Sequence, residues 1–396
     1  MKRKFSLFMP KGYNRSIHLA MILLSFFGSL MVVSANINHS STPLSLANVA
    51  VRQLFFFIIG YFAMVILARY WSWDFIKRHM TVIALFTIGF LIIPLFSTPR
   101  SGAYAWIDIP GINATIQPSE FAKISMIAIL AVFLGDIRIR RAKLAEMMTT
   151  PAIFIFSVLL IITVFQKDLG SAVILFALAW ILILIPSADQ LRPLQRWMIL
   201  LFIFGILLLL FLISKPGIAF IETLGLPEYM VNRFRAMSDP FADTRNIGYQ
   251  LYNSLVAFIK GNWMGVGFGN SIQKFGYLPV AQSDYILAIV VEELGFLGFM
   301  FIFIGYGVII GHLIIQSLSI RSERGKMVLF GTALYMLLHF ILNVGGVTSL
   351  IPLTGVPLLL ISAGGSSQMA IMMSLGICQN IIATEKVPVR RVGDTT

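Results

Sequence analysis

The sequence predicts an all-α polytopic membrane protein with about ten transmembrane helices and one large extracytoplasmic loop between helices 7 and 8. Three observations predict this fold class: the composition, the recurrence of uncharged apolar runs, and the distribution of basic residues. Of the 396 residues, 58% are hydrophobic and 12% are charged, whereas soluble domains have roughly 45–50% apolar and about 25% charged residues. The composition therefore excludes a soluble globular enzyme.

Apolar runs long enough to cross a bilayer, about 17–25 residues as helix or somewhat fewer, recur from one end of the chain to the other. They lie near residues 17–36, 53–69, 80–97, 118–137, 150–166, 169–187, 197–214, 284–316, 328–345 and 355–384. The first run follows basic residues, but no small-residue cleavage site precedes Asn36, so we expect a helix and not a signal peptide. No soluble-like block separates the runs, which indicates a single membrane domain over residues 1–396.

The basic residues are concentrated on one side of the predicted membrane domain. With the N-terminus placed in the cytoplasm, 20 of the 30 Lys and Arg residues fall on the cytoplasmic side, nine fall on the other side, and Lys123 lies inside a span. Short cytoplasmic loops carry an excess of Lys and Arg, so residues 1–16 and 385–396 are predicted to be cytoplasmic tails. Topology thus accounts for the net charge of +13. A nucleic-acid partner is not expected, because binding of phosphates needs a contiguous basic patch.

Residues 215–283 form a connection that is far longer than a simple loop and is rich in charge, glycine and aromatic residues. Loops of this length are usually functional or disordered. Within it, the stretch from Tyr249 to Trp263 has apolar residues at helical spacing without the length to span, which indicates an interfacial or re-entrant helix. We expect an ordered cap on the outer face.

Three predicted helices carry an acid at the same level, near the outer leaflet: Glu120, Asp168 and Asp284. An ionisable group in hydrocarbon costs about 2.5–3.5 kcal/mol or more and needs a partner or a water-filled cavity. A proton or ion pathway would more naturally place carboxylates near the midplane. This arrangement therefore favours a site that is reached from outside.

Each of these acids also has a structural interpretation. Glu120 and Lys123 are three residues apart on one helix face, so they could simply pair with each other. Asp168 and Asp284 could cap their helices, because Asp is a preferred N-cap residue. For Asp284 the functional interpretation is preferred, because the nearest positive residue in sequence is Lys274 and a partly desolvated carboxylate with a raised pKa is suited to be a general base.

The remaining polar features indicate structure. The adjacent Glu292 and Glu293 inside span eight repel each other, so one is expected to be protonated, or bonded to a backbone group or to an Arg or Lys of another helix. The GxGxG pattern that starts at Gly265 lacks the spacing of a dinucleotide site, and glycines and serines at 364–367 interrupt the last span. The five His are scattered and Cys378 is the single Cys, so no transition-metal site, internal disulfide or organic cofactor is expected.

Six motifs follow one another along the chain. They are Gln117-Pro-Ser-Glu-Phe-Ala-Lys123, Gln166-Lys-Asp-Leu-Gly170, Gly248-Tyr-Gln250, Gln273-Lys-Phe-Gly-Tyr-Leu-Pro279 running to Asp284, Glu292-Glu-Leu-Gly295, and Pro352-Leu-Thr-Gly-Val-Pro357 followed by Ile361-Ser-Ala-Gly-Gly-Ser-Ser367. In these motifs, its ten spans and its long outer loop, the sequence resembles the SEDS family (shape, elongation, division and sporulation), which includes FtsW, RodA and SpoVE. The resemblance covers essentially the whole chain. The motif at 273–279 is more similar to FtsW than to RodA.

The resemblance implies a peptidoglycan glycosyltransferase of the bacterial cytoplasmic (inner) membrane, with both termini in the cytoplasm. Such an enzyme polymerises lipid II into a nascent glycan strand at the outer face and works with a class B penicillin-binding protein, a transpeptidase. By resemblance, Asp284 is the general base on the acceptor 4-hydroxyl, and Glu120 and Lys123 lie in the same cavity. Residues implied in substrate binding are Arg233, Lys274, Gln117, Ser119, Asp168, Trp106 and Ser366. Positive charge for the leaving pyrophosphate would come from Lys123, Arg233, Lys274 or a bound Mg²⁺ or Mn²⁺ ion.

The sequence departs from the family pattern at the rim of the expected cavity. Two arginines usual before the fourth span are replaced in Gly102-Ala-Tyr-Ala-Trp-Ile107, and the acid usual after Pro279 is Val280. These departures leave Glu120, Lys123 and Asp284 in place, so a septal, FtsW-type polymerase remains the preferred function. The alternatives are an elongation or sporulation polymerase of the RodA or SpoVE type, a flippase or transporter of lipid-linked precursors, and a scaffold that only recruits a transpeptidase.

Overall fold

The structure is a computed structural model that describes residues 8–39, 41–100, 102–109, 114–135, 143–223 and 228–385. In these residues the chain forms thirteen α-helices and one two-stranded hairpin, so the predicted all-α membrane fold is confirmed. The helices are α1 (Arg15–Ala35), α2 (Pro43–Tyr70), α3 (Trp73–Ile92), α4 (Pro118–Leu134), α5 (Leu144–Leu160), α6 (Leu169–Leu184), α7 (Arg192–Ile213), α8 (Lys215–Thr223), α9 (Glu228–Ser238), α10 (Tyr249–Gly261), α11 (Ile286–Ser319), α12 (Glu323–Val347) and α13 (Gly365–Glu385). The strands β1 (Ile107–Ile109) and β2 (Ala114–Ile116) pair antiparallel just before α4.

Each of the ten predicted spans coincides with a helix, α1 to α7 or α11 to α13. Within the described residues, seven of these helices are long and apolar enough by length and composition to cross a membrane. Of the other three, α4 has 17 residues, α6 has 16, and α13 carries Ser, Gln and Asn along its 21 residues. Helices α4 and α13 are buried on nearly all sides by their neighbours. Since other helices and not lipid surround them, they need not be apolar all round.

Helix α13 packs closely against α2 in the centre of the bundle. A Cβ on Gly376 would lie 2.4 Å from the backbone oxygen of Met64, so only glycine permits this approach of the two backbones. The polar side chains of α13 are used within the protein: Asn380 Nδ2 donates to the Ala68 carbonyl at 2.8 Å.

Helix α7 is the opposite case, because Met198 is its one buried residue and its Leu, Ile and Phe side chains point outward.

The last predicted span begins later than expected. The prediction placed it at 355–384, but α13 begins at Gly365 and residues 355–364 are irregular. Side chains supply the missing backbone partners: Tyr306 donates to the Leu359 carbonyl at 2.6 Å, and the Leu358 N–H donates to Ser362 at 2.8 Å. Irregular backbone at membrane depth is tolerated when it is buried in protein, and hydropathy alone does not distinguish it from helix.

The expected cap formed by residues 215–283 is largely helical. Helices α8, α9 and α10 lie in it, and the interfacial helix predicted from Tyr249 to Trp263 corresponds to α10. After α10 the chain turns tightly over α11, where a Cβ on Gly265 would lie 2.2 Å from the Glu293 carbonyl oxygen. The predicted tails fall partly outside the described residues, which begin at residue 8 and end at residue 385.

Candidate active site

The candidate residues gather at the end of the bundle where α4, α6, α11 and α13 begin and α12 ends, which we call the site end. The irregular segment 352–358, called here the α12–α13 turn, lies among these helix starts. On one side it contacts α6, since a Cβ on Gly170 would lie 2.8 Å from the Thr354 carbonyl oxygen. On the other side a Cβ on Gly355 would lie 3.6 Å from Oδ2 of Asp284. The turn therefore separates the start of α6 from Asp284.

Glu120 and Lys123 form the ion pair that their spacing predicts. Lys123 Nζ lies 2.7 Å from Glu120 Oε1, and the two side chains are 1% and 2% exposed. Tyr335 on α12 donates its hydroxyl to the other carboxylate oxygen, Oε2, at 2.6 Å. Both charges are therefore enclosed by protein in this structure.

His339 on α12 is the third partner of this pair. Its Nε2 lies 2.9 Å from Lys123 Nζ, and its Nδ1 lies 2.9 Å from the carbonyl oxygen of Pro357. A carbonyl only accepts hydrogen bonds, so Nδ1 carries the hydrogen and the Nε2 lone pair accepts from the ammonium group. His339 is therefore neutral, and it connects the charge pair of α4 to the α12–α13 turn.

Asp284 lies just before α11, in the stretch where the long loop returns to the bundle. It does not cap that helix, whose N-cap residue is Tyr285. Its side chain is half-buried, and burial raises the pKa of the carboxyl above its usual value, while a hydrogen bond from Ser283 and the charge of Arg233 partly offset this rise. A carboxylate with a raised pKa and an open side toward Gly355 is suited to take a proton.

Asn343 on α12 contacts the backbone on both sides of this opening. Its Nδ2 donates to the Asp284 carbonyl oxygen and to the Val356 carbonyl oxygen, each at 2.9 Å. The residue is 2% exposed. One amide group thus joins α12, the segment before α11 and the α12–α13 turn.

Four of the predicted substrate-binding residues form one hydrogen-bonded cluster between α4, α6 and α13. Asp168 caps α6 by accepting from the Ser171 N–H at 3.1 Å, and its other oxygen accepts from Gln117 Nε2 at 2.8 Å. Ser119 donates to Ser171 at 3.1 Å. Ser366 accepts from the Gln117 N–H at 3.0 Å and donates to the Thr115 carbonyl. Asp168 and Gln117 are half-buried, whereas Ser119 and Ser366 are buried and hold the helix starts together.

Arg233 and Trp106 lie at the margin of the site end. Arg233 is exposed on α9, close enough for its charge to lower the pKa of Asp284. Trp106 is half-buried directly before β1. Arg233 is thus exposed to solvent and Trp106 is partly exposed.

Lys274 is not part of this group. Its Nζ lies 2.9 Å from Glu293 Oε1, both side chains are fully buried, and the ammonium also donates to the Gly269 carbonyl at 2.6 Å. The loop that carries Lys274 thus encloses it, and the expected contact between Lys274 and substrate stays a prediction. Glu293 also accepts from Ser34 of α1 at 2.7 Å, so this ion pair fastens the long loop to α11 and α1.

Glu292 is bonded in the same way by the loop after α10. Its carboxylate accepts from the Ser271 hydroxyl and from the backbone N–H groups of Ile272 and Gln273. The expected bonds of Glu292 and Glu293 to backbone groups are confirmed. The basic partner, Lys274, comes from the loop before α11 and not from another helix.

No group of three or more His, Cys, Asp or Glu side chains among the described residues is placed to hold a metal ion. Asp284 has one carboxylate oxygen, Oδ2, that lies 3.6 Å from the Cβ position of Gly355. A hard cation there would need further oxygen ligands, and a pyrophosphate group on a substrate would provide them.

Sequence reasoning missed Tyr335, His339 and Asn343. They are spaced by four residues, so they lie along one face of α12, and together they bond Glu120, Lys123, the α12–α13 turn and Asp284. That spacing is the signal that was available: three polar residues at i, i+4 and i+8 in an apolar helix. Polar residues inside a span usually face the bundle interior and have partners there.

Comparison with known proteins agrees with this arrangement. The FtsW/RodA/SpoVE family model, described as a cell cycle protein, matches residues 14–387. The chain belongs to this family. It is 33% identical over 334 residues to stage V sporulation protein E of Bacillus subtilis, covering 84% of this chain and 86% of that protein. It is 31% identical over 393 residues to the probable peptidoglycan glycosyltransferase FtsW of Lactococcus lactis, covering 94% and 93%.

Solved structures show the same fold. One chain of a peptidoglycan synthase complex, solved to describe the structural coordination of polymerization and crosslinking, matches with a TM-score of 0.71 at 20% identity, covering 94% of this chain and 98% of that one. The rod shape determining protein RodA of Thermus thermophilus matches with a TM-score of 0.62 at 18% identity, covering 94% and 97%. The family membership and the apolar helices make this chain a multi-pass membrane protein.

Proposed function

We propose that the chain is a peptidoglycan glycosyltransferase that polymerises lipid II into glycan strands at the outer face of the bacterial cytoplasmic membrane. The observation that carries the proposal is the half-buried Asp284 carboxylate with a raised pKa beside the open Gly355. Family membership supports it, since curated relatives that match over most of the chain are named probable peptidoglycan glycosyltransferases. In this proposal the site end faces outward and both termini are cytoplasmic, as the excess of basic residues at the other end indicates.

In the proposed reaction Asp284 acts as the general base. Its carboxylate takes the proton from the 4-hydroxyl of the acceptor GlcNAc, and the hydroxyl oxygen forms a bond to the anomeric carbon of the donor strand. The bond from that carbon to the pyrophosphate oxygen breaks, and undecaprenyl pyrophosphate leaves with the electron pair. Arg233 is the exposed basic residue near Asp284, and we assign it to the negative charge that develops on the pyrophosphate.

Glu120 and Lys123 are assigned a positioning role in this proposal. They are enclosed with Tyr335 and His339, so they act on the site through the α12–α13 turn and not by contact with the sugar. Among the predicted substrate-binding residues, Gln117, Asp168 and Trp106 are the ones that are half-buried, so we assign the contacts with substrate to them. Ser119 and Ser366 are buried behind these residues and hold the helix starts in place through hydrogen bonds to Ser171 and to the Gln117 N–H.

A Mg²⁺ or Mn²⁺ ion fits the site only together with substrate. Asp284 would supply one oxygen and the pyrophosphate would supply others, consistent with the preference of hard cations for oxygen ligands. When bound, the ion would neutralise negative charge on the leaving pyrophosphate.

We assign the chain to septal wall synthesis with a class B penicillin-binding protein as its partner. The FtsW relatives at 31% identity support the septal role. The structural match to a chain of a peptidoglycan synthase complex supports a partner that crosslinks. The similar identity to the sporulation protein of Bacillus subtilis makes a role in sporulation the alternative. Depletion of the protein in growing cells separates the two roles, because loss of a septal enzyme leaves filaments without division sites.

The test of the activity is glycan-strand synthesis from purified lipid II, with and without a co-expressed class B penicillin-binding protein. The native chain is expected to make polymer, and a folded Asp284→Asn variant to make none. The matched control is Asp239→Asn, which changes an exposed aspartate of the same loop and should leave synthesis unchanged. Equal polymer from Asp284→Asn would reject Asp284 as the base. Lipid II movement across vesicles without any polymer from the native complex would favour the transporter.

A further inference from the structure

One side chain of α12 holds both walls of the opening in front of Asp284. Asn343 Nδ2 donates one hydrogen to the Asp284 carbonyl and the other to the Val356 carbonyl, each at 2.9 Å. A primary amide nitrogen carries two hydrogens, so both donors of Asn343 are used on two segments that are far apart in sequence. Neither segment is a regular helix at the point of contact.

These two carbonyls set the width of the opening. Asp284 carries the carboxylate, and Gly355 precedes Val356, with a φ of +71° and its Cβ position 3.6 Å from Asp284 Oδ2. A shift of either carbonyl would move the carboxylate relative to Gly355. The distance between carboxylate and turn therefore depends on this amide group, together with the Ala363 N–H and the Ser362 hydroxyl, which donate to the Gln282 and Ser283 carbonyls at 2.8 and 2.7 Å.

The amide of Asn343 is oriented by its donors. Its Oδ1 is buried and has no hydrogen-bond partner among the described residues. A buried acceptor without a partner is unfavourable, so the orientation of this side chain serves the two carbonyls at the expense of its own oxygen. His339, one turn earlier on the same face, fixes the next carbonyl of the turn, that of Pro357, at 2.9 Å.

We propose that Asn343 is a positioning residue for Asp284 and that it sets the geometry of proton transfer from the acceptor hydroxyl. This inference rests on the proposed function, in which Asp284 takes that proton. Asn343 itself does not touch the substrate. Its loss changes the rate of the chemical step and leaves the binding of lipid II unchanged, because the residues assigned to binding, Gln117, Asp168 and Arg233, lie on or next to other helices.

The experiment compares Asn343→Leu with Asn380→Leu in the strand-synthesis assay, using the full chain with its co-expressed partner. Asn380 is the matched control: it is also a buried asparagine that donates to a backbone carbonyl, that of Ala68, at the far end of the bundle. For Asn343→Leu we expect kcat to fall about 10²-fold, since a displacement of about 1 Å can cost that much, with KM for lipid II within about twofold. Asn380→Leu should keep kcat.

Asn343→Ser is the second variant and keeps the test decisive if Asn343→Leu fails to fold. A hydroxyl has one hydrogen to donate, so it can hold one carbonyl and not both, and kcat should again fall while KM stays. Native kcat in a folded Asn343 variant, a rise in KM with unchanged kcat, or an equal loss in Asn380→Leu would each overturn the inference.

Asp284→Asn, measured alongside, separates this inference from the proposed function. If Asp284→Asn is inactive and Asn343→Leu has native kcat, only the positioning role fails. If Asp284→Asn is active, the assignment of the base fails and the positioning role falls with it.

Discussion

The ammonium nitrogen of Lys123 lies 2.9 Å from Nε2 of His339, which joins α4 to α12 across 216 positions of sequence. The opposite edge of the same imidazole donates to the carbonyl of Pro357 at 2.9 Å. Lys123 is also paired with Glu120 at 2.7 Å. The charge pair inside the bundle and the turn beside Asp284 are therefore parts of one continuous hydrogen-bonded chain.

The first prediction concerns the contribution of the buried Glu120–Lys123 ion pair to the stability of the protein. Glu120→Gln leaves the buried Lys123 charge without its counter-ion, and removal of one member of a buried pair costs about 3–5 kcal/mol. The double variant Glu120→Gln/Lys123→Met removes both charges and should recover much of the lost free energy of unfolding. The measurement is thermal or denaturant unfolding of the purified protein in detergent.

The same pair of variants tests the positioning role in catalysis. If Glu120 and Lys123 act by holding the turn, the double variant should regain part of the strand synthesis that Glu120→Gln loses. A double variant that is stable and wholly inactive would instead show that one of these groups takes part in the chemistry.

Much of the fold was predictable because long apolar runs and basic loops are local signals. The helix starts at Glu120, Asp168 and Asp284 were expected at one level, and the structure gathers them at the site end. The start of α13 was not predictable from hydropathy, since the irregular segment before it is as apolar as a helix.

The site was harder to predict because partners depend on tertiary contacts. From the sequence, Lys274 is expected to be a loop lysine that is free to bind substrate. In the structure the loop folds over it and encloses it with Glu293. His339 reads as one of five scattered histidines, and only the packing of α12 against α4 brings it to Lys123. Spacing identifies a face of a helix and does not identify what lies opposite that face.

The second prediction separates stability from substrate binding at Lys274. Lys274→Met leaves Glu293 as an unpaired buried carboxylate, so the free energy of unfolding should fall by about 3–5 kcal/mol, with KM for lipid II unchanged in the fraction that stays folded. The control is Lys260→Met, which changes an exposed lysine of α10 and should alter neither quantity. A higher KM with native stability would place Lys274 in the binding site.

The third prediction concerns the pH dependence of strand synthesis. The charge of Arg233 lowers the pKa of Asp284 against the larger rise caused by burial. Arg233→Gln removes that charge, so the pKa of Asp284 should rise further, and the acidic limb of the rate profile, where the base becomes protonated as pH falls, should move to higher pH. The control is Arg235→Gln, which changes an arginine two positions later on α9 that is bonded to Glu222. An unmoved acidic limb in Arg233→Gln would contradict the prediction.

The same raised pKa makes a fourth prediction, for stability. A carboxyl whose pKa is higher in the folded protein than in the unfolded chain destabilises the fold once pH exceeds the unfolded pKa, because the folded state holds the proton more tightly. Asp284→Asn should therefore raise the melting temperature at neutral pH. The difference should shrink as the pH falls through the raised pKa of the folded state, and it should be lost once the pH is below the unfolded pKa of the aspartate. Melting curves at several pH values measure it, and a lower melting temperature at neutral pH would contradict it.

The fifth prediction tests whether the space beside Asp284 receives the substrate. Gly355→Ala places a methyl group 3.6 Å from Asp284 Oδ2, an ordinary contact within the protein, but in the space that an acceptor hydroxyl needs. Gly276→Ala is the matched control, because Gly276 also has a positive φ, +101°, and a Cβ there meets nothing within 4 Å. Both variants should lose a similar free energy of unfolding, about 1 kcal/mol, since both force alanine into the left-handed region. Only Gly355→Ala should lower strand synthesis, by about tenfold or more, as expected for a displaced acceptor. Equal activity of the two variants would mean that the acceptor reaches Asp284 from another direction.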